Sequence, residues 1–192
     1  PAFNYNNLTS SNSGARTLAN AGTIGIAEIF TPGTNVYTIT GSTINFNGAV
    51  GQTISAFNYN NLTSSNTGAR PLANSGIIGI AGVFTPGTNV YTITGSTVAY
   101  NGTAAQTVPS GFTTYNNLTL NNAAGVAGFS GLIVQELLRI QQGTFTSSST
   151  YNSVQIDSGA TLSATAASTI NIGGSWTNNG TFNANTGTVV FN

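Results

Sequence analysis

The chain of 192 residues contains no cysteine, no histidine and no methionine, and charged residues make up only 3% of it. Without cysteine there are no disulfides, no thiolate nucleophile and no thiolate-held metal. Without histidine the usual general base near neutral pH is missing. An ordinary globular domain carries about 25% charged residues. Here the charges are Arg16, Arg70, Arg139, Glu28, Glu136 and Asp157, which sum to zero. No basic patch exists for nucleic acid or an anionic membrane. No apolar run is long enough for a membrane helix, so no membrane insertion is expected, and no basic leader opens the sequence. Disorder is excluded as well. It requires low hydrophobicity and high net charge, whereas 39% of this chain is hydrophobic.

What is present is strand-and-turn material. β-Branched and aromatic residues suit strands, and the abundant Asn, Gly, Ser and Thr suit turns. The arrangement is repetitive. Residues 1–54 align with 55–108 without a gap, with 40 identities in 54 positions. "FNYNNLTSSN" occurs at 3–12 and at 57–66, and a trimmed copy, "YNNLTLNN", at 115–122. Self-similarity of this kind calls for a repeat architecture.

A shorter period lies inside the unit. In steps of 18, Leu8 leads to Ile26, Ile44, Leu62, Ile80 and Val98, and Leu18 leads to Val36, Ile54, Leu72, Val90 and Val108. These two aliphatic ladders are the expected stacking core. A two-residue insertion near "PSGF" (109–112) shifts the register to Leu118, after which Leu137, Val154, Ile172 and Val190 fall on or beside the rungs. "STINF" and "STVAY" alternate in the period-2 manner of a half-buried strand. "TPGT", "FNGA" and "NNAAG" supply turns. "GLIVQELLRIQQG" (131–143) suits a helix by propensity, although a strand fits the ladder better. Glu28, two residues beyond the Ile26 rung, is aimed inward by simple alternation unless the strand ends or bulges there.

Eighteen residues cannot form a core alone but can form one turn of a stack. The expected fold is therefore all-β: a parallel β-solenoid (β-helix) of about 18 residues per coil and roughly ten coils. Residues 1–192 would form a single array, with repeat units 1–54 and 55–108 and a longer divergent unit, 109–192, incomplete at its C-terminal end. The scarcity of charge follows. A charge repeated every coil would sit about 5 Å from its like, whereas Asn, Ser and Thr ladders satisfy one another. Neither end reads as a cap, so the open ends are expected to meet further repeats of the same chain or a second copy.

"YNNLTLNNAAGV", "GGSWTNNGTFNANTGTVVFN" and "TVAYNGTAAQTV" resemble the repeats of very large secreted, adhesin-like surface proteins of Gram-negative gliding and surface-attached bacteria. In that family, blocks of the form GTVxFNGxxxQTI alternate with FxNLTIN. The matching residues are Gly187–Asn192, Gly41–Ile54 and Tyr5–Thr9 with their copies. The resemblance spans essentially the whole chain. It implies an extracellular, cell-surface stalk or filament exported through the outer membrane. No sorting domain or cap of the family is recognisable.

Candidate chemistry is sparse. No pair of acids has the spacing of a glycosidase pair, although Glu136 and Asp157 lie about one coil apart. "IDSG" (156–159) is too little for calcium. No catalytic residue, cofactor or metal ligand is expected, and no enzyme. Arg16 and Arg70, in "SGAR" and "TGAR", either touch acidic glycans or a neighbouring filament, or cap a turn by bonding carbonyls. Phe30, Tyr37, Phe84, Tyr91 and Trp176 either stack on sugar rings or pack the core. "NLT" at 7–9, 61–63 and 117–119 matches a glycosylation acceptor, incidental in a bacterial protein. Thr-rich stretches such as "YTITGST" raise an ice-ordering face. The expected function is a structural and adhesive rod that associates with itself, head to tail or laterally, with surface polysaccharide as a further candidate partner. The alternative is a carbohydrate- or ice-binding solenoid module.

Overall fold

The computed structural model describes residues 2–192. Among them there is no helix. The fold is a parallel β-solenoid of about nine turns, with strands stacked about 20 residues apart. The chain forms two compact units, Pro1–Thr94 and Gly95–Asn192.

In the first unit one sheet carries the strands Asn4–Tyr5, Thr23–Ile26, Thr43–Phe46, Asn61–Ser64 and Phe84–Thr85, in that order. Every pairing is parallel: Ile24 sits on Ile44, Ile44 on Leu62, and Leu62 on Phe84. Shorter ladders join Leu8–Thr9 to Phe30–Thr31, Arg16–Thr17 to Tyr37–Thr38, and Arg70–Pro71 to Tyr91–Thr92. Turns are made where left-handed backbone is available. Gly33 and Gly87 in the two "TPGT" turns have φ of 65° and 63°, and Asn12 and Asn66 have φ of 63° and 58°. Asn tolerates that region better than other side chains do.

In the second unit Thr97–Tyr100, Asn117–Asn121, Ile133–Gln142, Thr150–Ile156, Thr169–Ile172 and Thr188–Phe191 follow one another across a sheet. A further sheet carries Gln106–Thr107, Val126–Ala127, Thr144–Thr146, Thr161–Ser163 and Thr181–Asn183. Tyr100, Tyr115, Leu118, Leu138, Ile140, Phe145 and Leu162, on these strands and the short strand Thr114–Tyr115, are all fully buried.

The 18-residue period needs correction. The cross-coil step is not constant: Leu138 pairs with Val154, but Val154 pairs with Trp176, a distinctly longer interval. Among the rungs, Ile44↔Leu62 and Ile54↔Leu72 are true neighbours. Leu8 instead lies under Phe30, Ile26 under Phe46, and Leu62 under Phe84. Ile26, Ile44, Leu62, Ile80, Val98, Ile54, Leu72 and Val108 are buried as expected. Leu8 and Leu18 are half-buried. Val36 and Val90 are not core at all, being 75% and 74% exposed. The reason is alternation. Tyr37 and Tyr91 stand on Arg16 and Arg70 in an inward column, so the residue before each must face out. A repeat of 54 residues over turns of about 20 is about 2.7 turns, not three. Copies of one residue therefore drift around the perimeter.

Residues 133–142 form a strand, not a helix. Its register against Thr150–Ile156 slips between Val134 and Leu137. Gln135 and Glu136 are both exposed at this irregularity, and Leu138 rather than Leu137 takes the inward rung, on Leu118. Glu28 does not enter the core, because its strand ends at Ile26 and the chain bends.

Candidate functional site

The most regular surface lies on the second unit. Thr144-Phe145-Thr146, Thr161-Leu162-Ser163 and Thr181-Phe182-Asn183 stack in register. Phe145 and Leu162 point in and are fully buried. Alternation then places Thr144, Thr161 and Thr181 in one outward column, and Thr146, Ser163 and Asn183 in another. Ala127 and Thr107 extend the second column. Rungs are about 4.8 Å apart and columns about 6.8 Å. Thr144, Thr146 and Thr181 are exposed and Thr161 half-buried. Among the described residues, the hydroxyls of Thr144, Thr146, Thr161 and Thr181 bond to no other protein group, while Ser163 Oγ accepts from Asn185 Nδ2 at 3.2 Å. The face thus offers repeated free donors, acceptors and methyl groups with no charge. The TxT spacing at 144–146 is visible in the sequence. Its alignment with 161 and 181 is not, because the two intervals are unequal.

A second constellation is internal. Arg70 is fully buried. Its Nε donates to Ser64 Oγ at 3.0 Å, and its terminal nitrogens donate to the carbonyls of Phe46 (3.1 Å), Gly48 (2.8 Å), Val50 (3.2 Å), Ser65 (2.7 Å) and Ala69 (3.2 Å). Burial lowers its pKa, opposed by the charge of Tyr91. The guanidinium thus staples its own coil to the one holding residues 46–50. Gly68 approaches the Val50 carbonyl so closely that a Cβ would collide with it. Arg16 bonds only carbonyls of its own turn: Ser11 at 2.6 Å, Gly14 at 2.9 Å and Ala15 at 3.2 Å. Both arginines cap turns.

Other repeated polar residues do the same work. Asn35 Nδ2 donates to the carbonyls of Asn12 and Gly14, and its Oδ1 accepts from Ser10 Oγ at 2.8 Å. Asn89 repeats the pattern with Asn66, Gly68 and Ser64. Gln52 Oε1 accepts from the Gly48 amide at 2.6 Å, and its Nε2 donates to the carbonyls of Ile26 and Glu28. Gln106 accepts from the Gly102 amide and from Asn122 Nδ2. Unchanged polar letters in both copies were the signal for these staples.

The acids do not converge: among the described residues no three His, Cys, Asp or Glu gather at metal-binding distance. Arg139 grips Asp157 Oδ2 through Nε (3.0 Å) and a terminal nitrogen (2.9 Å), and Gln155 donates to Oδ1 at 2.7 Å. Partial burial acts to raise the Asp157 pKa, but the bonds from Arg139 and Gln155 and the charge of Arg139 outweigh it and hold it low. Glu28 accepts from Asn7 Nδ2 at 3.0 Å.

Buried phenols form another group. Burial raises Tyr59 and Tyr100, and the Tyr100 hydroxyl lies 3.0 Å from that of Tyr115, which tempers the shift. Tyr151 is pushed up to about 12 by burial, against the nearby Ser147 and Ser149 hydroxyls. Its own hydroxyl has no hydrogen bond of good geometry. Phe30 and Phe84 are core residues, 3% and 4% exposed. Tyr37 and Tyr91 donate to the carbonyls of Pro32 and Pro86. Trp176 is half-buried, edge-on to Phe182 at 5.1 Å. The NLT asparagines are engaged too. Asn61 Oδ1 accepts from the Val83 amide at 3.0 Å, and Asn117 Nδ2 donates to the Ser96 carbonyl at 3.2 Å.

Set beside protein-family models, curated proteins and solved structures, the chain matches none of them.

Proposed function

We propose that the chain is a structural and adhesive repeat module of an extracellular bacterial surface protein or filament, acting by coil-on-coil stacking and self-association rather than by catalysis. One observation carries the reading. Within each unit successive coils are tied by a parallel backbone ladder, and side-chain staples add to it, buried at Arg70 and Gln52 and half-buried at Asn35. Force applied to such a stack must break the bonds of a whole coil together. The resemblance of the repeats to secreted surface proteins supports the location.

Single-molecule pulling tests the mechanism. Each turn of about 20 residues released from the stack lengthens the chain by about 65–70 Å at roughly 3.3–3.6 Å per residue. Unfolding in steps of that size or its multiples supports the reading; featureless extension at low force overturns it. Protease added to intact cells tests the location: a surface module is cut from outside, an internal one is spared.

The free hydroxyl array of Thr144, Thr161 and Thr181 favours a second reading, a face for uncharged polysaccharide or for ice. Ice-shaping and glycan-binding assays, with Thr161→Tyr breaking the array, separate this reading from the first. Loss of an observed activity in that variant supports it, and inactivity of the native chain in both assays overturns it.

A further inference from the structure

Between the two sheets of the second unit the chain turns a corner in each coil, and successive corners differ in length. Leu120, Ile140 and Ile156 are cross-coil neighbours before the corner, and Val126, Phe145 and Leu162 after it. Five residues join Leu120 to Val126, four join Ile140 to Phe145, and five join Ile156 to Leu162. The longer corners close as tight turns. The Gly125 amide donates to the Asn122 carbonyl at 3.0 Å, and the Ala160 amide to the Asp157 carbonyl at 3.1 Å. Gly159, with φ of 81°, takes the third place of the second turn, where left-handed backbone is needed. The short corner is recessed between them. Its Gly143 packs so closely on the Asn122 carbonyl that a Cβ would collide with it.

The result is a notch of about 350 Å³, with Gln141, Gln142 and Gly143 as its floor, Ala123 as one wall, and Ser158 and Gly159 as the other. That volume lies at the lower end of the range for small-ligand sites, roughly 300–1,000 Å³. The walls are two rungs apart, about 10 Å. Gln141 is half-buried, while Ala123, Gln142, Ser158 and Gly159 are exposed. Among the described residues, the side chains of Gln141, Gln142 and Ser158 bond to no other protein group. Gln52, Gln106 and Gln155, by contrast, are spent on bonds within the protein. The charges closest along the chain, Arg139 and Asp157, hold each other at 2.9 Å.

We propose that this notch is a subsite for one sugar residue of an uncharged polysaccharide, gripped by the amides of Gln141 and Gln142 and the hydroxyl of Ser158. Each glutamine amide offers donors and an acceptor side by side, and neighbouring sugar hydroxyls each donate and accept, so the two sets match. A neutral ligand is favoured because the notch has no unpaired charge to meet an anionic one. The floor leads straight into the threonine column: Thr144 follows Gly143 and stacks on Thr161. Sugars on either side of the seated one therefore meet the free threonine hydroxyls. The site rests on the reading of the threonine face as a binding surface and selects sugar over ice, because a concave notch does not fit a flat ice lattice.

Nitrogen–proton correlation spectra of the native chain test it during titration with short neutral glucan, galactan and mannan oligosaccharides, and with an oligogalacturonate of the same length. The expected result is a saturable shift of the Gln141 and Gln142 side-chain amides, and of the Ser158 and Gly159 backbone amides, with at least one neutral oligosaccharide and not with the oligogalacturonate. Gln141→Ala with Gln142→Ala should bind that sugar roughly ten-fold more weakly or worse, with thermal unfolding unchanged because neither side chain bonds to the protein. Ala123→Trp, which crowds the notch from its exposed wall, should weaken binding as well. No saturable shift with any neutral sugar, equal binding of the oligogalacturonate, or undiminished binding by the double variant overturns the proposal. Binding that Thr161→Tyr abolishes and the double glutamine variant leaves intact keeps the threonine face as a sugar surface and removes only the notch. Ice shaping without sugar binding keeps the face as an ice surface and likewise removes the notch.

Discussion

Replacing Arg70 by alanine should be among the most damaging single changes, and replacing Arg16, in the same local sequence, among the mildest. Both sit in "GAR", both stand under a tyrosine, and both bond carbonyls. They differ in the coil beneath. When Arg70 is removed, the Phe46 carbonyl keeps the Ser65 amide and the Ala69 carbonyl keeps the Gln52 amide. Among the described residues, the carbonyls of Gly48, Val50 and Ser65 have no other hydrogen-bond donor. Leaving three such groups and the Ser64 hydroxyl without this partner costs about 1 kcal/mol each or somewhat more, so the total loss is about 3–5 kcal/mol. In a chain of this size each kcal/mol lowers Tm by about 2–4 °C, so Arg70→Ala should fall by roughly 10 °C. The three carbonyls bonded by Arg16 are within reach of water, and Arg16→Ala should cost under about 1 kcal/mol. Arg70→Lys should recover little, because one ammonium cannot replace a planar fork aimed at five carbonyls. Thermal unfolding of the three variants by circular dichroism decides the matter. Equal shifts for Arg16→Ala and Arg70→Ala would show that the staple between coils does not carry the stability assigned to it.

Gln52→Ala removes three bonds from a side chain that is 2% exposed, and should cost about 2–4 kcal/mol in denaturant titration. Alkaline pH should weaken the fold through Tyr151. Its folded pKa, about 12, lies above the ordinary value of 10. Its contribution is therefore whole below pH 10 and is lost as pH rises from 10 towards 12, roughly 3 kcal/mol at about 1.4 per unit. Tyr151→Phe should abolish that part of the alkaline loss and leave neutral-pH stability equal or slightly higher, since the buried hydroxyl lacks a good partner. Asp157 works in the opposite direction. Its pKa is held low, so its contribution is present above the ordinary carboxylate range and lost as pH falls through the folded value. The ion pair is solvent-accessible, with side chains 40% and 22% exposed, so Asp157→Asn should cost under about 1 kcal/mol.

Parallel stacking was legible because aliphatic residues recur at a nearly constant interval and because so few charges interrupt them. The interval itself was blurred. The ladder through Leu8 and Leu18 includes Ile44↔Leu62 and Ile54↔Leu72, which are real neighbours. It also passes through Val36 and Val90, which alternation turns outward because Tyr37 and Tyr91 claim the inward side. Turns of variable length absorb the difference: the step from Leu118 to Leu138 is longer than the step from Leu138 to Val154. A fixed step cannot follow such changes. The strand at 133–142 overrode the helical propensity of its Leu, Glu and Gln because neighbouring coils offer it a ladder on both edges. The threonine columns were hidden for a related reason. Thr144, Thr161 and Thr181 align only once the unequal coil lengths are known. Turn capping by Arg16 and Arg70 is one of two readings that "SGAR" and "TGAR" allow. The bonds from Arg70 to the coil below depend on a register that a single repeat does not reveal.

Nuclear Overhauser contacts between backbone protons of successive coils test the stacking most directly. Stacks of the kind described should give cross-coil contacts between Ile24 and Ile44, Ile44 and Leu62, Leu118 and Leu138, and Val154 and Trp176, with none between Leu8 and Ile26 or between Val36 and Ile54. Antiparallel contacts, or contacts that join Leu8 to Ile26 and Ile26 to Ile44 at one uniform step, would contradict it.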